Sequence, residues 1–355
     1  MNQRTRIAVR KRKKTKPMCS KTSTHPIDLL LGLVRINFLT CKEKLRVLKN
    51  LDNLESLAVL SIEDLEILAG RRLRITSWNG DDLLITVQKD LSVLERYGTG
   101  FAVYSDPLFP PLLREIHDPP FGIFWRGRLP DPEKPLAAMV GTRNPSGDGA
   151  LGAARLGKEF GEAGIPVISG LARGIDAYAH RGNLDGCAPS VAVLACGVER
   201  IYPISNSRLA ARILESGGAV LSEYPPGEAP LKFRFPQRNR LISGMSRGVV
   251  LVEAPEKSGA LITADFALDQ GRDLMVYKGA LESPRSSGCR RLFEEGAIAV
   301  SCAQDVLNEW GLSTDVVTNA ADNRCSSSGH LIRKTGRQLA FDFRREIDSH
   351  TMQRN

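Results

Sequence analysis

The sequence predicts an α/β fold in which helices cover both faces of a mostly parallel β-sheet, preceded by a smaller all-helical region. Between residues 136 and 312, short runs rich in Val, Ile and Leu alternate with longer amphipathic stretches. Such runs are typical of parallel strands buried on both faces, and the stretches between them are typical of connecting helices. Between residues 27 and 98, apolar residues such as Leu45 and Leu48 recur at helical spacing instead.

The alternating region supplies the candidate strands and helices of the sheet domain. The candidate strands are residues 136–140, 166–169, 190–195, 219–222, 249–252, 274–277 and 298–300. The candidate helices include residues 149–163, 175–184, 205–215, 259–270 and 287–295. In a doubly wound sheet of this kind, ligands bind beyond the carboxyl ends of the strands, so the loops after the strands are where a site is expected.

Local signals complete the division of the chain. Ser61, followed by Glu63 and Asp64, predicts a helix start, because Ser caps helices and acids favour the first turn. Residues 104–130 contain six prolines, which predict an irregular entry or a linker and not a helix. The expected parts are a basic tail, a small helical domain, the sheet domain and a polar tail, at residues 1–26, 27–100, 101–312 and 313–355.

Composition and charge restrict the class of protein. The chain has 355 residues, of which 42% are apolar and 25% charged, as expected of a globular protein with room for two domains. Its formal net charge is +9, and nine basic residues precede the first acid, Asp28. The remainder is therefore close to neutral, and a surface that binds a polyanion must be a local patch. The basic tail itself is interpreted as disordered and solvated.

The cysteines and the N-terminus favour a cytoplasmic protein. The seven cysteines are scattered without C-x-x-C spacing, which indicates neither a disulfide framework nor a zinc site. The basic N-terminal run is not followed by the apolar segment of a signal peptide. No apolar run reaches the roughly 18 residues that a membrane span requires. We expect no membrane association, no metal and no cofactor.

The segment KFRFPQRNR, from Lys232 to Arg240, combines four basic side chains with two aromatic rings and contains no acid. Single-stranded nucleic acid offers a line of phosphates and a row of base faces, which cationic and aromatic side chains bind respectively. Arg238 and Arg240 could bind phosphate oxygens bidentately, whereas Lys232 acts as a point charge. The segment is equally compatible with a solvated basic loop whose Phe residues pack in the core.

Three loops after predicted strands present small residues and helix starts. The loop GTRNPSGDG, residues 141–149, offers backbone N–H groups and the fixed charge of Arg143 to an anion, although it matches no established phosphate-loop motif. The loop SGLARGID, residues 169–176, adds Arg173 as a phosphate ligand. In EAPEKSGALIT, Ser258 and Gly259 stand where a helix begins. Ordinary turns and a Ser cap account for the same residues without any ligand.

Catalytic groups are poorly represented in the sequence. Asp176 and His180 lie four residues apart on a predicted helix and could form an acid–base pair, but a helix-start acid and a structural histidine are the more common interpretation. Glu223 is a lone carboxylate after a strand. No cluster has the spacing of metal ligands. We therefore assign no catalytic residue.

Six blocks in order resemble the family of the DNA-processing protein DprA, also called Smf, over about residues 104–312. The order is more specific than any single block. The blocks are VGTRNPSGDG, SGLARGIDAYAH, ACGVERIYP, SEYPPG, FPQRNRLISG and VEAPEKSGALITADFALDQGR.

The resemblance implies an extended Rossmann-like domain preceded by a small helical domain of SAM or helix-hairpin-helix type. It implies a protein that binds single-stranded DNA in a basic pocket, forms a homodimer, and helps to load the RecA recombinase in natural transformation, with no known enzymatic activity. Matched by motif, the pocket residues are Arg143, Lys232, Phe235, Arg238 and Arg240. Its walls would be completed by Ser169, Gly170, Ser258 and Gly259.

The chain departs from the family pattern at two positions near the expected site. Lys278 stands where the family has the proline of V-P-G, and Cys289 lies within a changed G-[ST]-N-x-L-I block. The polar tail after residue 312 is also short for the winged-helix domain that many members carry.

Two alternatives remain open from the sequence. One is a nucleotide-binding enzyme of the lysine-decarboxylase-like or phosphoribohydrolase type, although its PGGxGT block is absent, and the other is a scaffold that only binds partners.

Overall fold

The structure is a computed structural model that describes residues 25–312 of the chain. Apart from residues 25 and 26, the two predicted tails lie outside the described residues. Within that range, no helix is both long enough and apolar enough to cross a membrane.

An all-helical region precedes the sheet, as predicted. The helix start at Ser61 is confirmed, because Ser61 Oγ accepts a hydrogen bond from the Asp64 N–H at 3.1 Å and the Asp64 carboxylate accepts one from the Ser61 N–H at 2.9 Å. Thr40 and Glu43 form the same reciprocal pair at the start of the second helix. The helices are α1 (Ile27–Arg35), α2 (Cys41–Leu48), α3 (Leu54–Ala58), α4 (Ile62–Ala69) and α5 (Gly80–Tyr97).

Strands and helices alternate through the remainder of the described chain. The strands are β1 (Gly100–Val103), β2 (Gly122–Gly127), β3 (Ala137–Val140), β4 (Val167–Ser169), β5 (Val191–Val193), β6 (Ala219–Ser222), β7 (Gly248–Leu251), β8 (Asp273–Tyr277) and β9 (Ile298–Val300). The helices are α6 (Pro111–Arg114), α7 (Gly147–Glu162), α8 (Ile175–Asp185), α9 (Ser207–Glu215), α10 (Arg234–Met245), α11 (Leu261–Asp269), α12 (Ser287–Glu294) and α13 (Ala303–Glu309).

One sheet contains all nine strands, in the order β1-β2-β6-β5-β4-β3-β7-β8-β9. Strands β3 to β9 pair in parallel, whereas β2 is antiparallel to both β1 and β6. The seven predicted strands and the doubly wound arrangement are confirmed. The strand order reverses between β3 and β7, and the carboxyl ends of the strands at such a reversal form the crevice where ligands bind in this fold class.

Two regions differ from the sequence prediction. Residues 104–130, expected to be irregular, contain β2 and the short α6, because the prolines flank the apolar run Gly122–Gly127 and leave its backbone donors free for pairing. The pattern also fails to predict α10, whose first turn contains Pro236. Proline is tolerated there because the first N–H groups of a helix have no partner within the helix.

The helical region shares an apolar core with the sheet. Leu29 and Leu57 belong to the same buried cluster as Phe101 and Phe124, which lie on β1 and β2. The two rings stack with centroids 4.8 Å apart and planes at 24°. The antiparallel edge of the sheet therefore serves as the packing surface for α1 to α5.

An ion-pair network also joins the helical region to the sheet region. Arg35 at the end of α1 donates from Nε and Nη2 to both oxygens of Asp90 on α5, at 2.8 and 2.5 Å. Its Nη1 lies 2.7 Å from Oε1 of Glu228, in the segment before α10. The helical domain is thereby connected to the segment that carries the predicted basic and aromatic residues.

Candidate nucleic-acid interface

The loop after β3 presents an exposed arginine beside an aromatic ring. Ser146 Oγ accepts a hydrogen bond from the Gly149 N–H at 3.0 Å and caps α7, so the loop ends in an ordered helix start. Arg143 is exposed, and its guanidinium carbon lies 5.6 Å from the centroid of the Phe235 ring. A cation against an aromatic face combines a phosphate ligand and a stacking surface. Two of the predicted site residues are thus brought together.

A buried carboxylate fixes this loop from below. Glu253, fully buried just after β7, accepts a hydrogen bond from the Ser146 N–H at 2.7 Å and another from the Ser283 hydroxyl. Arg285 supports the loop from outside by donating to the carbonyl oxygens of Asn144 and Pro145 at 3.2 and 3.0 Å. Neither support is predicted by the motifs, although a glutamate directly after an apolar strand is a signal of a buried polar group.

In the segment KFRFPQRNR, some side chains face solvent and others contact the rest of the protein. Lys232 is exposed, and Phe233 is 58% exposed. Phe235 is half-buried, and its ring centroid lies 5.5 Å from that of Tyr202, with planes at 53°. Arg234 forms an ion pair with Glu228 at 2.5 Å, so its charge is used within the protein. Lys232, Phe233 and Phe235 are therefore side chains of this segment that a ligand can reach.

Arg238 is buried, with 5% of its surface exposed. Its Nη1 donates to the carbonyl oxygens of Gly170, at 2.9 Å, and of Val193, at the ends of β4 and β5. Burial lowers the pKa of the guanidinium, opposed by the charge of Asp176. This side chain anchors α10 to the sheet. Its direct contact with DNA stays a prediction. Its buried location favours a supporting role, in which it holds α10 and Phe235 in place.

Arg240 is paired with carboxylates. Its guanidinium contacts Glu223 and lies 3.5 Å from the Asp118 carboxylate, and its Nη1 donates to the Asp118 carbonyl oxygen at 2.7 Å. Glu223 therefore has a partner that the sequence did not reveal, and burial raises the pKa of its carboxyl. The role predicted for Arg240 as a phosphate ligand is untested, and a phosphate would have to compete with these acids.

The loop after β4 combines buried small residues with one exposed arginine. Ser169 is buried and its Oγ donates to the Met139 carbonyl oxygen at 2.6 Å. The Gly170 N–H donates to Asp176 at 3.1 Å. A Cβ at Gly170 would lie 2.4 Å from the Arg238 guanidinium, so the glycine makes room for that group. Arg173 is exposed at the same edge.

Asp176 and His180 have different partners. Asp176 accepts hydrogen bonds from the N–H groups of Gly170 and Ala172, at 3.1 and 3.3 Å, and burial raises the pKa of its carboxyl. His180 Nδ1 lies 2.7 Å from Ser190 Oγ, and burial lowers the pKa of the imidazole to about 3. Both groups are buried among backbone and hydroxyl partners, which is the geometry of structural residues.

The loop after β7 is open and is joined to α10. Ser258 Oγ accepts a hydrogen bond from the Ala260 N–H at 3.2 Å. Gly259 is exposed, and a Cβ there would meet nothing within 4 Å. Its carbonyl oxygen accepts a hydrogen bond of 3.1 Å from Asn239 Nδ2. In residues 25–312, no group of three or more His, Cys, Asp or Glu side chains is arranged to hold a metal ion.

Comparisons with known proteins agree with this arrangement. The family model for DNA recombination-mediator protein A matches residues 100–311. The chain is 42% identical to the DNA processing protein DprA of Streptococcus pneumoniae over 205 residues, or 58% of this chain and 72% of that protein. It is 37% identical to the protein Smf of Escherichia coli over 242 residues, or 67% of this chain and 64% of that protein.

Solved structures show the same fold. The DprA structure from Streptococcus pneumoniae is 33% identical with a TM-score of 0.64, over 80% of this chain and 98% of that chain. The DNA processing protein A from Helicobacter pylori, described for its single-stranded DNA binding mode, is 27% identical with a TM-score of 0.52, over 59% of this chain and 95% of that chain. The fold is therefore the expected extended Rossmann-like one, and the chain belongs to the DNA recombination-mediator protein A family, that of DprA and Smf.

Proposed function

We propose that this chain binds single-stranded DNA at the carboxyl edge of its sheet and acts as a recombination mediator in DNA uptake and recombination. The observation that carries the proposal is the exposed Arg143 guanidinium against the half-buried Phe235 ring. A cation beside an aromatic face suits a phosphate and its base, whichever base it is. Lys232 and Arg173 add exposed positive charge from the two neighbouring loops.

We further propose binding without bond chemistry. Three carboxylates at this edge are engaged with protein groups: Glu223 with Arg240, Asp176 with backbone N–H groups, and Glu253 with Ser146. These three carboxylates are already paired, so none of them is free to act as a general base, which needs hydrogen-bond reach to a substrate proton. This supports a binding protein over the nucleotide-hydrolysing alternative.

Membership of the family supports two interactions for this role, one with a second copy of the chain and one with RecA. We propose that the protein works as a homodimer in the cytoplasm and delivers the single strand to RecA, because a recombination mediator must place a recombinase on DNA. A pull-down of RecA with and without single-stranded DNA tests the partner. Sedimentation of the protein alone tests the dimer.

Titration of labelled oligo(dT) at several salt concentrations tests the DNA site. We expect Arg143→Ala and Lys232→Ala to weaken binding and each to reduce the slope of log affinity against log salt by about 0.7, the value for one phosphate contact on a single strand. Phe235→Ala removes stacking worth about 1–3 kcal/mol, with little change in slope.

The control is Lys89→Ala, which removes the same charge from an exposed position on α5. We expect it to bind like the wild type. Wild-type affinity in all three site variants would exclude this edge as the DNA site.

A further inference from the structure

A second aromatic side chain lies beside Phe235 on a different loop. Tyr202, between β5 and α9, is 44% exposed, and its ring centroid lies 5.5 Å from that of Phe235. Arg143 contacts the Phe235 ring as well. Phe235 is therefore flanked by a guanidinium from the loop after β3 and an aromatic ring from the loop after β5.

The loop between β5 and α9 exposes large apolar side chains that are usually buried. Ile201 is buried, with 6% of its surface exposed, but Tyr202 and Ile204 are 44% and 66% exposed. On the segment of Phe235, Leu231 and Phe233 are 43% and 58% exposed. Leaving large apolar side chains in water forgoes about 25 cal/mol for each Å² that could be buried. Concentrated apolar exposure of this kind is typical of a ligand-binding surface.

Basic residues lie on both sides of Tyr202 in the sequence. Arg200 precedes it by two residues, and Arg208 lies in the first turn of α9. Both side chains are exposed, and neither forms a salt bridge within the described part of the chain. Their charges are available to a polyanion, unlike those of Arg234 and Arg240, which are paired with acids.

We propose that Tyr202 is a second base-stacking residue and that Arg200 and Arg208 bind the phosphates on its side. The single strand would then run from the Arg143 and Phe235 site onto the loop between β5 and α9, with successive bases on the two rings. This inference rests on the proposed function. It adds a subsite made of residues that the motif match does not place in the pocket.

Substitutions at Tyr202 separate stacking from packing. Tyr202→Leu keeps an apolar side chain against Phe235 but has no π-face, and Tyr202→Phe keeps the ring without the hydroxyl. Because loss of a stacked base weakens binding by about fivefold or more, we expect Tyr202→Leu to lose that affinity for oligo(dT) and Tyr202→Phe to retain it. Thermal unfolding of each variant confirms that the folded fraction is unchanged at the assay temperature.

Photocrosslinking gives a readout that packing does not affect. Oligo(dT) carrying a single 5-iododeoxyuridine is irradiated with the full-length protein, and the crosslinked residue is located by mass spectrometry. We expect crosslinks at Phe235 and Tyr202 from neighbouring iodouridine positions, and loss of the second in Tyr202→Leu.

The outcomes distinguish the subsite from the function. If Phe235→Ala weakens binding but Tyr202→Leu does not, and no crosslink reaches Tyr202, the second stacking position is wrong and the DNA site stands. Equal loss in Tyr202→Leu and Tyr202→Phe would also overturn it, since the hydroxyl and not the ring would then be the contact. If the wild-type protein does not bind oligo(dT), both the subsite and the proposed function are wrong.

Discussion

The Nη1 atom of Arg238 donates a hydrogen bond of 2.9 Å to the carbonyl oxygen of Gly170. This contact joins the first half of α10 to the end of β4, and α10 carries Phe235 one turn before Arg238. The position of the half-buried Phe235 ring therefore depends on the buried guanidinium of Arg238 and on Gly170, which has no side chain.

Gly170→Ala should destabilise the protein, because its Cβ would lie within 2.6 Å of three guanidinium atoms that are held in place. Overpacking of this kind costs about 1–3 kcal/mol. Urea denaturation measures the change in the free energy of unfolding. Gly259→Ala is the matched control, since a Cβ there meets nothing within 4 Å. Equal stability of the two variants would contradict the assigned role of Gly170.

Arg238 and Lys232 should behave in opposite ways, although both belong to the same basic segment. Arg238→Ala leaves two buried carbonyl oxygens without a donor and removes a charge that favours ionised Asp176, so we expect a loss of about 2–4 kcal/mol. Lys232→Ala changes an exposed side chain, and its stability should stay within about 0.5 kcal/mol of the wild type. Urea denaturation of both variants, alongside oligo(dT) binding, checks the contrast. A stable Arg238→Ala protein that fails to bind DNA would instead identify Arg238 as a direct ligand.

The sequence predicts the sheet well. It predicts poorly which basic residues of the site support the fold and which can contact a ligand. Strands β3 to β8 are recognisable because burial on both faces requires continuous apolar runs. The convergence of the loops after β3, β4 and β7 follows from the parallel order alone. The sequence does not separate Arg238 from Arg240, because the separation depends on α10 and its orientation. Because of Pro236, the sequence pattern does not predict α10. It is the helical geometry that turns Arg238 inward and directs Arg240 to Asp118.

Glu253→Ala should loosen the loop that carries Arg143. The substitution leaves the Ser146 N–H and the Ser283 hydroxyl without their acceptor, at a cost of about 1–3 kcal/mol. We expect lower stability in urea and weaker binding of oligo(dT). The control is Glu256→Ala. Glu256 lies in the loop after β7, as Glu253 does, but it is exposed, so its removal should change neither the stability nor the affinity by much. Unchanged binding by Glu253→Ala would show that the loop keeps its shape without the carboxylate.

His180 should make the protein less stable as the pH falls below about 6.5. The unfolded chain takes up a proton on this imidazole near its ordinary pKa of 6.5, whereas burial lowers the folded pKa to about 3. Between these values the unfolded state binds more protons, so the free energy of unfolding decreases as the pH falls. One proton contributes about 1 kcal/mol per pH unit. Urea denaturation from pH 7 to pH 5 should give a shallower slope for His180→Gln than for the wild type. Parallel curves would mean that His180 takes up its proton over the same pH range in the folded and unfolded protein, which would contradict the lowered pKa.

Arg35→Ala should destabilise the helical region and weaken its contact with the segment before α10. Asp90 is 2% exposed and receives two hydrogen bonds from Arg35, so removing the guanidinium leaves a buried carboxylate without its counter-charge. Breaking a buried pair in this way costs about 3–5 kcal/mol. Glu228 loses a partner in the same variant, and Glu228 also holds Arg234 at the start of α10. We therefore expect two effects, a lower midpoint in urea and weaker oligo(dT) binding.

The matched control for Arg35→Ala is Arg72→Ala, which removes an exposed guanidinium from the same domain. It should leave both measurements close to the wild type, because an exposed charge contributes little to stability. A double substitution, Arg35→Ala with Asp90→Asn, removes the unpaired charge and should recover part of the lost stability. If DNA affinity recovers with it, the weaker binding follows from the destabilised domain contact. If affinity stays low while stability recovers, the contact of Arg35 with Glu228 itself positions the segment that carries Lys232 and Phe235.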